Sequence, residues 1–530
     1  MAERQGWLWI DAAAAGAAAG VLAEVMVFRL NPEVSQHATA VLIGAPLWAT
    51  WGALGFGLPL LALGAGLRAL RRRRDLWLAP ELTAVAYLAA AVICLVNADL
   101  HEFLLSSVAL RVLAQDGVAW AVGLALALLG GAAVRRAGAP TRLRVAFAAA
   151  IIALPLARML LQPTPPGSPL EVAARPIGAP TQRLLVVGVD GLDAAVLLGR
   201  VDDTRAPQLA ALERRGCWGP LTPHRPHLRR SAWTSTAVGS YPGRHGVKSK
   251  RGWLLPWLPG EPLRLLPWTP QGSRLILPWG LAREVTPPAA SVPPLWERLR
   301  ASGVPTAAVD WPGIWGATVT LEPWRPADRQ DLEPAVRSSL EWALEPFPEQ
   351  APAVWRAVGG DRGRVAAALA ALEAGAGDVW IHLEVLSAAR TGLEPLKPRH
   401  TREREVVELA LQLTDDHLGA LLAAAGDGAT VAVVAPYGLA PPTPWERLQR
   451  LLGIGGAWRV SPDTNPDGVL LLAGPGVATG QRFAGARLAD VAPTLCYLLG
   501  LPTAQYMEGG LIVDAIAPEF LSAHALRVAE

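Results

Sequence analysis

The sequence predicts an α/β fold, a mostly parallel sheet between helices, preceded by an all-α transmembrane bundle. Two observations carry that expectation. Long apolar stretches fill the chain before residue 165, and strand-like and helix-like runs alternate after residue 183. A Pro-rich segment separates the two patterns, so the chain divides at 1–163, 164–182 and 183–530. With 530 residues, 52% of them apolar and a mean hydropathy of +0.28, the composition is too hydrophobic for a purely soluble protein. Net charge is only +3 and the arginines sit in short clusters, which excludes the broad basic face of a nucleic-acid binder.

The apolar stretches run over 7–30, 40–67, 78–96, 118–134 and 145–161, lengths suited to five helices crossing a hydrocarbon core about 30 Å thick. Arg68 and Arg71, Arg72, Arg73 and Arg74 follow the second, and Arg135, Arg136, Arg142 and Arg144 separate the fourth from the fifth. The opposite loops hold only Arg29 and Arg111. Positive charge on the inner side then puts the N-terminus in the cytoplasm and everything after residue 161 outside, in the plasma or inner membrane of a cell with a periplasmic or extracytoplasmic face. A cleaved signal peptide is disfavoured, because the first stretch continues into Glu24 and four more follow. Glu81 and Asp99 fit membrane interfaces; Glu24 is a candidate functional acid, weighed against packing or an interfacial position. Cys94, Cys217 and Cys496 form no motif and are expected to pack as free thiols.

Residues 162–182 (QPTPPGSPLEVAARPIGAPTQ) have the composition of an extended tether. Beyond them, strands are expected at 184–190, 305–310, 378–384, 430–435 and 468–472. Helices are expected at 206–215, 294–301, 364–374, 403–425 and 488–499. In such sheets, sites lie at the C-terminal ends of strands, where Asp190, Glu384, Pro436 and Tyr437 would gather. Residues 252–288 stand apart, with Trp253, Trp257, Trp268 and Trp279 among many prolines, behind Lys248, Lys250 and Arg251. They read as too Pro-rich for a regular element, an ordered insertion or lid. Packing over the core is favoured over a surface for lipid or a partner.

Six segments fall in a characteristic order: VVGVDGLD at 186–193, PQLAALERRGCWGPL at 207–221, AWTSTAVGSYPGRHGV at 232–247, PPLWERLRASGVPTAAVDWPG at 293–313, DGVLLLAGPGV at 467–477 and ADVAPTLCYLLGLP at 489–502. On these the outer domain resembles the alkaline phosphatase superfamily, in its type I phosphodiesterase and nucleotide pyrophosphatase branch. The resemblance spans about 340 residues. It implies an alkaline-phosphatase-like fold and two divalent metals that activate a Thr or Ser nucleophile and stabilise the displaced oxygens.

Set against that pattern, most of the implied site is replaced. Asp190 matches the first metal-binding aspartate. The nucleophile falls sixteen residues before His245, at Arg229, whose guanidinium cannot attack phosphorus and repels a nearby cation. Ser231 is the substitute, weighed against a plain helix N-cap. Where the family has an Asp and, four residues on, a His, this chain has Glu384 and Ala388. The paired Asp-His is here Pro436 and Tyr437, and the last His is Thr464. Two vestigial ligands, Asp190 and Glu384, are left, too few donors for two zinc ions.

Other residues offer alternatives. His224 and His227 are candidates to join Asp190 in a single-metal site, against a reading as a polar loop. His245 resembles the structural His of a PGxHG turn, and His382 reads as a core histidine. His400 and His417 suit solvated positions. Arg225, Arg229 and Arg230 form a candidate anion-binding cluster at a helix N-terminus, against a loop of surface arginines. The expectation is therefore a membrane-anchored, catalytically degenerate phosphodiesterase-like domain that binds or regulates at the cell envelope. It needs no cofactor, and its partners are the lipid bilayer and an envelope protein or an anionic lipid or glycan. The alternative is an active phosphodiesterase or phosphoryl transferase with rewired ligands for Zn²⁺ or another divalent metal.

Overall fold

The computed structural model describes residues 2–34, 38–70, 77–138, 140–164, 172–249, 251–255, 257–267, 281–284, 290–313, 329–330, 332–392, 401–439, 444 and 466–529. The chain forms two compact units, Met1–Ser168 with Lys248–Pro287, and Pro169–Val247 with Pro288–Glu530.

The helical unit follows the apolar stretches: α1 (Ala2–Leu30), α2 (Ala38–Gly55), α3 (Gly57–Leu70), α4 (Ala79–Leu100), α5 (Ser107–Arg136) and α6 (Thr141–Leu161). Leu8–Leu30 and α4, α5 and α6 are long and apolar enough to cross a membrane. The expected second span is not straight. It bends by 47° between α2 and α3, at a joint where Phe56 stands between Gly55 and Gly57. Glycines also set the approach of α1 to α2. A Cβ on Gly20 would lie 1.9 Å from the Trp48 carbonyl oxygen, and one on Gly52 would lie 2.2 Å from that of Gly16. Small residues four apart thus let two backbones touch.

Glu24 is fully buried and neither carboxylate oxygen has a hydrogen-bond partner. Glu81 pairs with Arg135 at 3.2 Å in a part-exposed setting, and Asp99 is exposed. Arg71, Arg72, Arg73 and Arg74 lie outside the described residues.

The α/β unit begins with β1 (Leu184–Val189), α7 (Ala194–Arg200), α8 (Pro207–Arg215), β2 (Cys217–Thr222), α9 (Arg229–Val238) and α10 (Pro242–His245). The chain then enters three strands of the helical unit, β3 (Arg251–Leu255), β4 (Leu258–Leu263) and β5 (Leu281–Glu284). These form a small antiparallel sheet in the order β4-β3-β5, which corrects the expectation of no regular element. Pro259 and Pro262 are tolerated because β4 is an edge strand with one side free of ladder bonds. The segment belongs to the helical unit, where Asn31 Oδ1 accepts from the backbone of Arg264 at 2.7 Å and Leu265 at 2.9 Å. Trp268 and Trp279 lie outside the described residues.

The α/β unit resumes with α11 (Leu295–Ala301), β6 (Thr306–Val309), α12 (Pro334–Leu344), α13 (Ala351–Glu373), β7 (Asp378–Leu383), α14 (Val385–Gly392) and α15 (Thr401–Ala425). It closes with β8 (Thr430–Tyr437), β9 (Asp467–Ala473), two short strands β10 (Gln481–Arg482) and β11 (Ala486–Arg487), and a helix at Val491–Leu498. The sheet order is β10-β2-β9-β8-β1-β7-β6. β8, β1, β7 and β6 run parallel, while β9 is antiparallel to both β8 and β2.

Alternation along β1 explains its apolar run: Leu185, Val187 and Val189 face one core with α13 and α15, while Leu184 and Val186 face another. The second core is built on Trp233, Trp296, Trp311 and Trp380, with ring centroids 5.0–5.2 Å apart between Trp311 and each of Trp380 and Trp233. Each such buried aromatic contributes about 1.5–3 kcal/mol. Gly188 admits Trp233 under β1, because a Cβ there would meet its ring at 2.7 Å. The three cysteines are free and buried, as expected.

Candidate functional site

Strand register builds the centre of the site. β1 pairs with β7 so that Val189 stands opposite Leu383, and the residues that follow, Asp190 and Glu384, emerge side by side at the C-terminal ends. The ladder continues one step, with the Asp190 amide donating to the Leu383 carbonyl at 2.9 Å. β8 on the other side of β1 ends in Pro436 and Tyr437, so the four residues gather as the strand pattern predicts.

Arg229, the first residue of α9, reaches into this group. Its Nη2 donates to Asp190 Oδ2 and lies 3.4 Å from Glu384 Oε1. A cation at a helix N-terminus opposes the helix dipole, and the two carboxylates answer it. Asp190 is buried and Arg229 half-exposed. Burial raises the Asp190 carboxyl above its ordinary pKa, the Arg229 charge opposes that rise, and Glu384 adds to it. The Tyr437 and Ser387 hydroxyls approach Asp190 and favour the carboxylate. Neither makes a hydrogen bond to Oδ1, which has no partner. The Asp190 charge in turn holds Arg229 in its protonated form.

A second guanidinium holds Glu384 from the other side. Arg364 of α13 lies 3.3 Å from Glu384 Oε2, 2.7 Å from Asp361 Oδ1 and 2.6 Å from Asp310 Oδ2. Asp361 also accepts from the backbone amides of Glu384 at 2.9 Å and Val385 at 2.8 Å, fixing the turn from β7 into α14. Sequence reasoning missed Asp361, Arg364 and Asp310. The available signal was positional, since Asp310 ends the strand expected at 305–310 just as Asp190 ends its own.

The loop after Asp190 has its own buried ion pair. Asp193 caps α7 by accepting from the Val196 amide at 2.9 Å, and its other oxygen accepts from Arg390 Nη1 at 2.9 Å and the Leu439 amide at 3.3 Å. Gly191 turns here at φ +88°, where a Cβ would strike the Ser387 backbone at 2.8 Å.

The histidines sort differently from the expectation. His382 Nδ1 lies 3.8 Å from Glu384 Oε1, its ring packs 4.7 Å from that of Trp233, and its Nε2 has no partner. Donor atoms of Asp190, His382 and Glu384 all lie within 4.8 Å of one another, close enough to hold one metal ion. The cluster that forms with Asp190 thus contains His382, not His224 or His227. Those two serve neighbours instead. His224 Nε2 is 3.0 Å from Ser231 Oγ, and the His227 ring stands 4.0 Å from that of Tyr437. Burial lowers both to about 3, so they are neutral. His382 is also well below its ordinary range, by burial and then by the charges of Arg364 and Arg229.

Ser231 is neither exposed nor an N-cap: Leu228 holds the cap position, and Ser231 is fully buried within the first turn of α9. His245 does what its turn requires. Its Nδ1 accepts from the Val247 amide at 3.1 Å, so Nε2 carries the proton and donates to Ser235 Oγ at 3.0 Å. His417 has its pKa lowered to about 4 by burial and is not the solvated side chain expected. His400 and Thr464 lie outside the described residues.

The residues present do not fit two metals. Pro436 offers no side-chain donor, and Ala388 packs against the core behind α14. Tyr437 is buried against His227, and a guanidinium already lies on Asp190 and Glu384. Of the candidate anion cluster, Arg229 is committed to these carboxylates, while Arg225 and Arg230 make no ion pair among the described residues.

The family model for type I phosphodiesterase / nucleotide pyrophosphatase matches residues 184–482, more than half of the chain. A 2,3-bisphosphoglycerate-independent phosphoglycerate mutase from Cereibacter sphaeroides is 46% identical over 52 residues, 10% of this chain and 10% of that relative's length. Among solved structures, a 2-O GAG sulfatase is 13% identical with a TM-score of 0.39, covering 66% of this chain and 76% of its own. Murine ectonucleotide pyrophosphatase / phosphodiesterase 5 is 13% identical with a TM-score of 0.36, covering 60% and 95%. On the match over 184–482, which begins at β1 and takes in Asp190, Arg229 and Glu384, this chain belongs to the type I phosphodiesterase / nucleotide pyrophosphatase family.

Proposed function

We propose that this protein is a catalytically degenerate phosphodiesterase, held at the membrane by its helical unit and acting by binding. The observation that carries the reading is the Arg229 guanidinium on Asp190 and Glu384. A cation fixed in the protein stands where a divalent metal would engage the first-strand aspartate, and the same residue occupies the nucleophile position. An arginine there neutralises the acids without polarising a phosphoryl oxygen through an open coordination site, and it supplies no attacking atom. Arg364 does the same for the far side of Glu384. In this reading the N-terminus lies in the cytoplasm and the α/β unit outside, at the envelope, on the strength of the loop arginines, with an envelope protein or an anionic lipid or glycan as the class of partner.

A second reading has one observation in its favour: the convergence of Asp190, His382 and Glu384. An enzyme with a single rewired metal would use these three after Arg229 swings away. Metal content and turnover of an aryl phosphodiester by the full chain in detergent, after exposure to Zn²⁺ and Mn²⁺, separate the two. The degenerate reading expects no stoichiometric metal and no turnover. Bound metal with turnover that disappears in Asp190→Ala would replace it with the second.

A further inference from the structure

The helical unit contains a charge network that the proposed function does not use. Arg29, next to the last residue of α1, is fully buried. Its Nε donates to Asp116 Oδ2 of α5 at 2.7 Å, and its Nη1 donates to the Gln162 carbonyl at 2.6 Å and to Thr164 Oγ1 at 2.8 Å. Arg158, in the last turn of α6, donates from Nε to Asp116 Oδ1 at 3.0 Å. Two guanidiniums therefore share one carboxylate, and no other acid pairs with either among the described residues.

The imbalance falls on Arg158. Arg29 is answered by the carboxylate and by the carbonyl end of α6, apart from Nη2, which is buried without a partner. Arg158 has only its half of Asp116, and its side chain stays 26% exposed. Two guanidiniums on one carboxylate leave one net positive charge, which is costly on an apolar helix unless a further anion meets it. The surroundings of Arg158 describe that anion. Leu154 and Leu161 lie four residues before it and three after it, on the same helix face, and are 38% and 85% exposed. An exposed apolar residue one turn toward the middle of the helix from a half-paired guanidinium matches an acyl chain topped by a phosphate.

We propose that Arg158, oriented by Asp116 against Arg29, binds the phosphate of an anionic membrane phospholipid whose acyl chain lies along Leu154. The proposal rests on the helices spanning a bilayer and is independent of the chemistry at Asp190.

The test is lipid retention by the full chain in detergent, measured by native mass spectrometry with phosphatidylglycerol and phosphatidylcholine offered equally. Phosphatidylglycerol should be retained about fivefold over phosphatidylcholine, the scale of one basic side chain at a lipid surface. Arg158→Gln should bring the two to parity, and Arg158→Lys should keep part of the preference. Equal retention by the unaltered protein overturns the proposal without recourse to any variant. So does a preference that survives Arg158→Gln in a protein with an unchanged helical spectrum. Inorganic phosphate or glycerol 3-phosphate competing as well as the lipid would place a soluble anion at Arg158 and overturn the lipid assignment.

Discussion

The Arg229 guanidinium donates to the Asp190 carboxylate at the C-terminal end of β1. This pair joins the residue that matches the family's first metal ligand to the residue that stands in place of its nucleophile. On the proposed degenerate reading, loss of the hydroxyl and loss of the metal would be one change, since the same side chain offers no attacking atom and puts a cation beside the acid. Arg364 extends the pattern to Glu384, Asp361 and Asp310, so the pocket is an arginine–carboxylate lattice.

The Asp193–Arg390 pair is the mechanical anchor of the loop after β1. Both side chains are 2% exposed, so removing the cation leaves a buried carboxylate with only the Val196 and Leu439 amides as partners. Arg390→Met should destabilise the α/β unit by about 3–5 kcal/mol. Urea unfolding of the full chain, followed by tryptophan fluorescence, checks this. A loss under 1 kcal/mol would show that water reaches Asp193.

Tight packing beneath the site gives a paired test. A methyl group on Gly188 would meet the Trp233 ring at 2.7 Å and the Trp311 ring at 3.1 Å, whereas one on Gly199 in α7 would meet nothing within 4 Å. Gly188→Ala should cost about 1–3 kcal/mol through overpacking. Gly199→Ala should stabilise by up to about 1 kcal/mol, because alanine favours helix. Thermal unfolding of both variants reads the contrast, and equal midpoints would contradict the packing described for Trp233.

Buried imidazoles set an acid limit. Burial depresses the His224 pKa from 6.5 to about 3, so the folded state binds a proton less readily than the unfolded state. The stability this histidine contributes is fully present above about 6.5 and is lost as pH falls toward 3. Between pH 6.5 and 5 that amounts to about 2 kcal/mol. His227 carries a depression of the same direction, from burial and then from His224 and Arg229. Unfolding midpoints at pH 7 and pH 5 should differ less in His224→Asn than in the unaltered protein. An unchanged difference would mean that His224 opens to solvent before it titrates.

Much of the fold was legible because it rests on local patterns. Five expected strands are present within a residue or two of their bounds, helped by the apolar runs of β1 and β8, which end at a polar or turn residue. The convergence of Asp190 and Glu384 was legible too, as both end parallel strands. The bend at Phe56 and the sheet of β3, β4 and β5 were not. The first interrupts one continuous apolar run, which carries no mark of a bend, and the second rests on prolines confined to an edge strand. The partners of Glu384 were also beyond reach. Asp361 and Arg364 sit three apart on α13, twenty residues and more before Glu384 in the chain, and only tertiary packing brings that helix to β7. His382 read as a core histidine, and one face of it is; its unpartnered Nε2 shows only when the ring is placed beside Glu384.

Arg229 is the side chain whose removal separates the two readings of the pocket. In Arg229→Ser, Asp190 and Glu384 lose a shared cation, while His382 remains neutral with Nε2 free of partners. Two carboxylates and one imidazole within 4.8 Å then form a donor set suited to a single Zn²⁺. The variant should bind about one Zn²⁺ per chain by titration calorimetry, at least tenfold more tightly than the unaltered protein, a difference of about 1.4 kcal/mol. Asp190→Asn in the same background should abolish that binding. If the unaltered protein binds Zn²⁺ as tightly as Arg229→Ser, the guanidinium is not the occupant of the metal's place, and the degenerate reading loses its main support. If neither binds, Arg364 alone holds Glu384 away from a metal, and Arg229→Ser combined with Arg364→Gln should be the first form to take the ion.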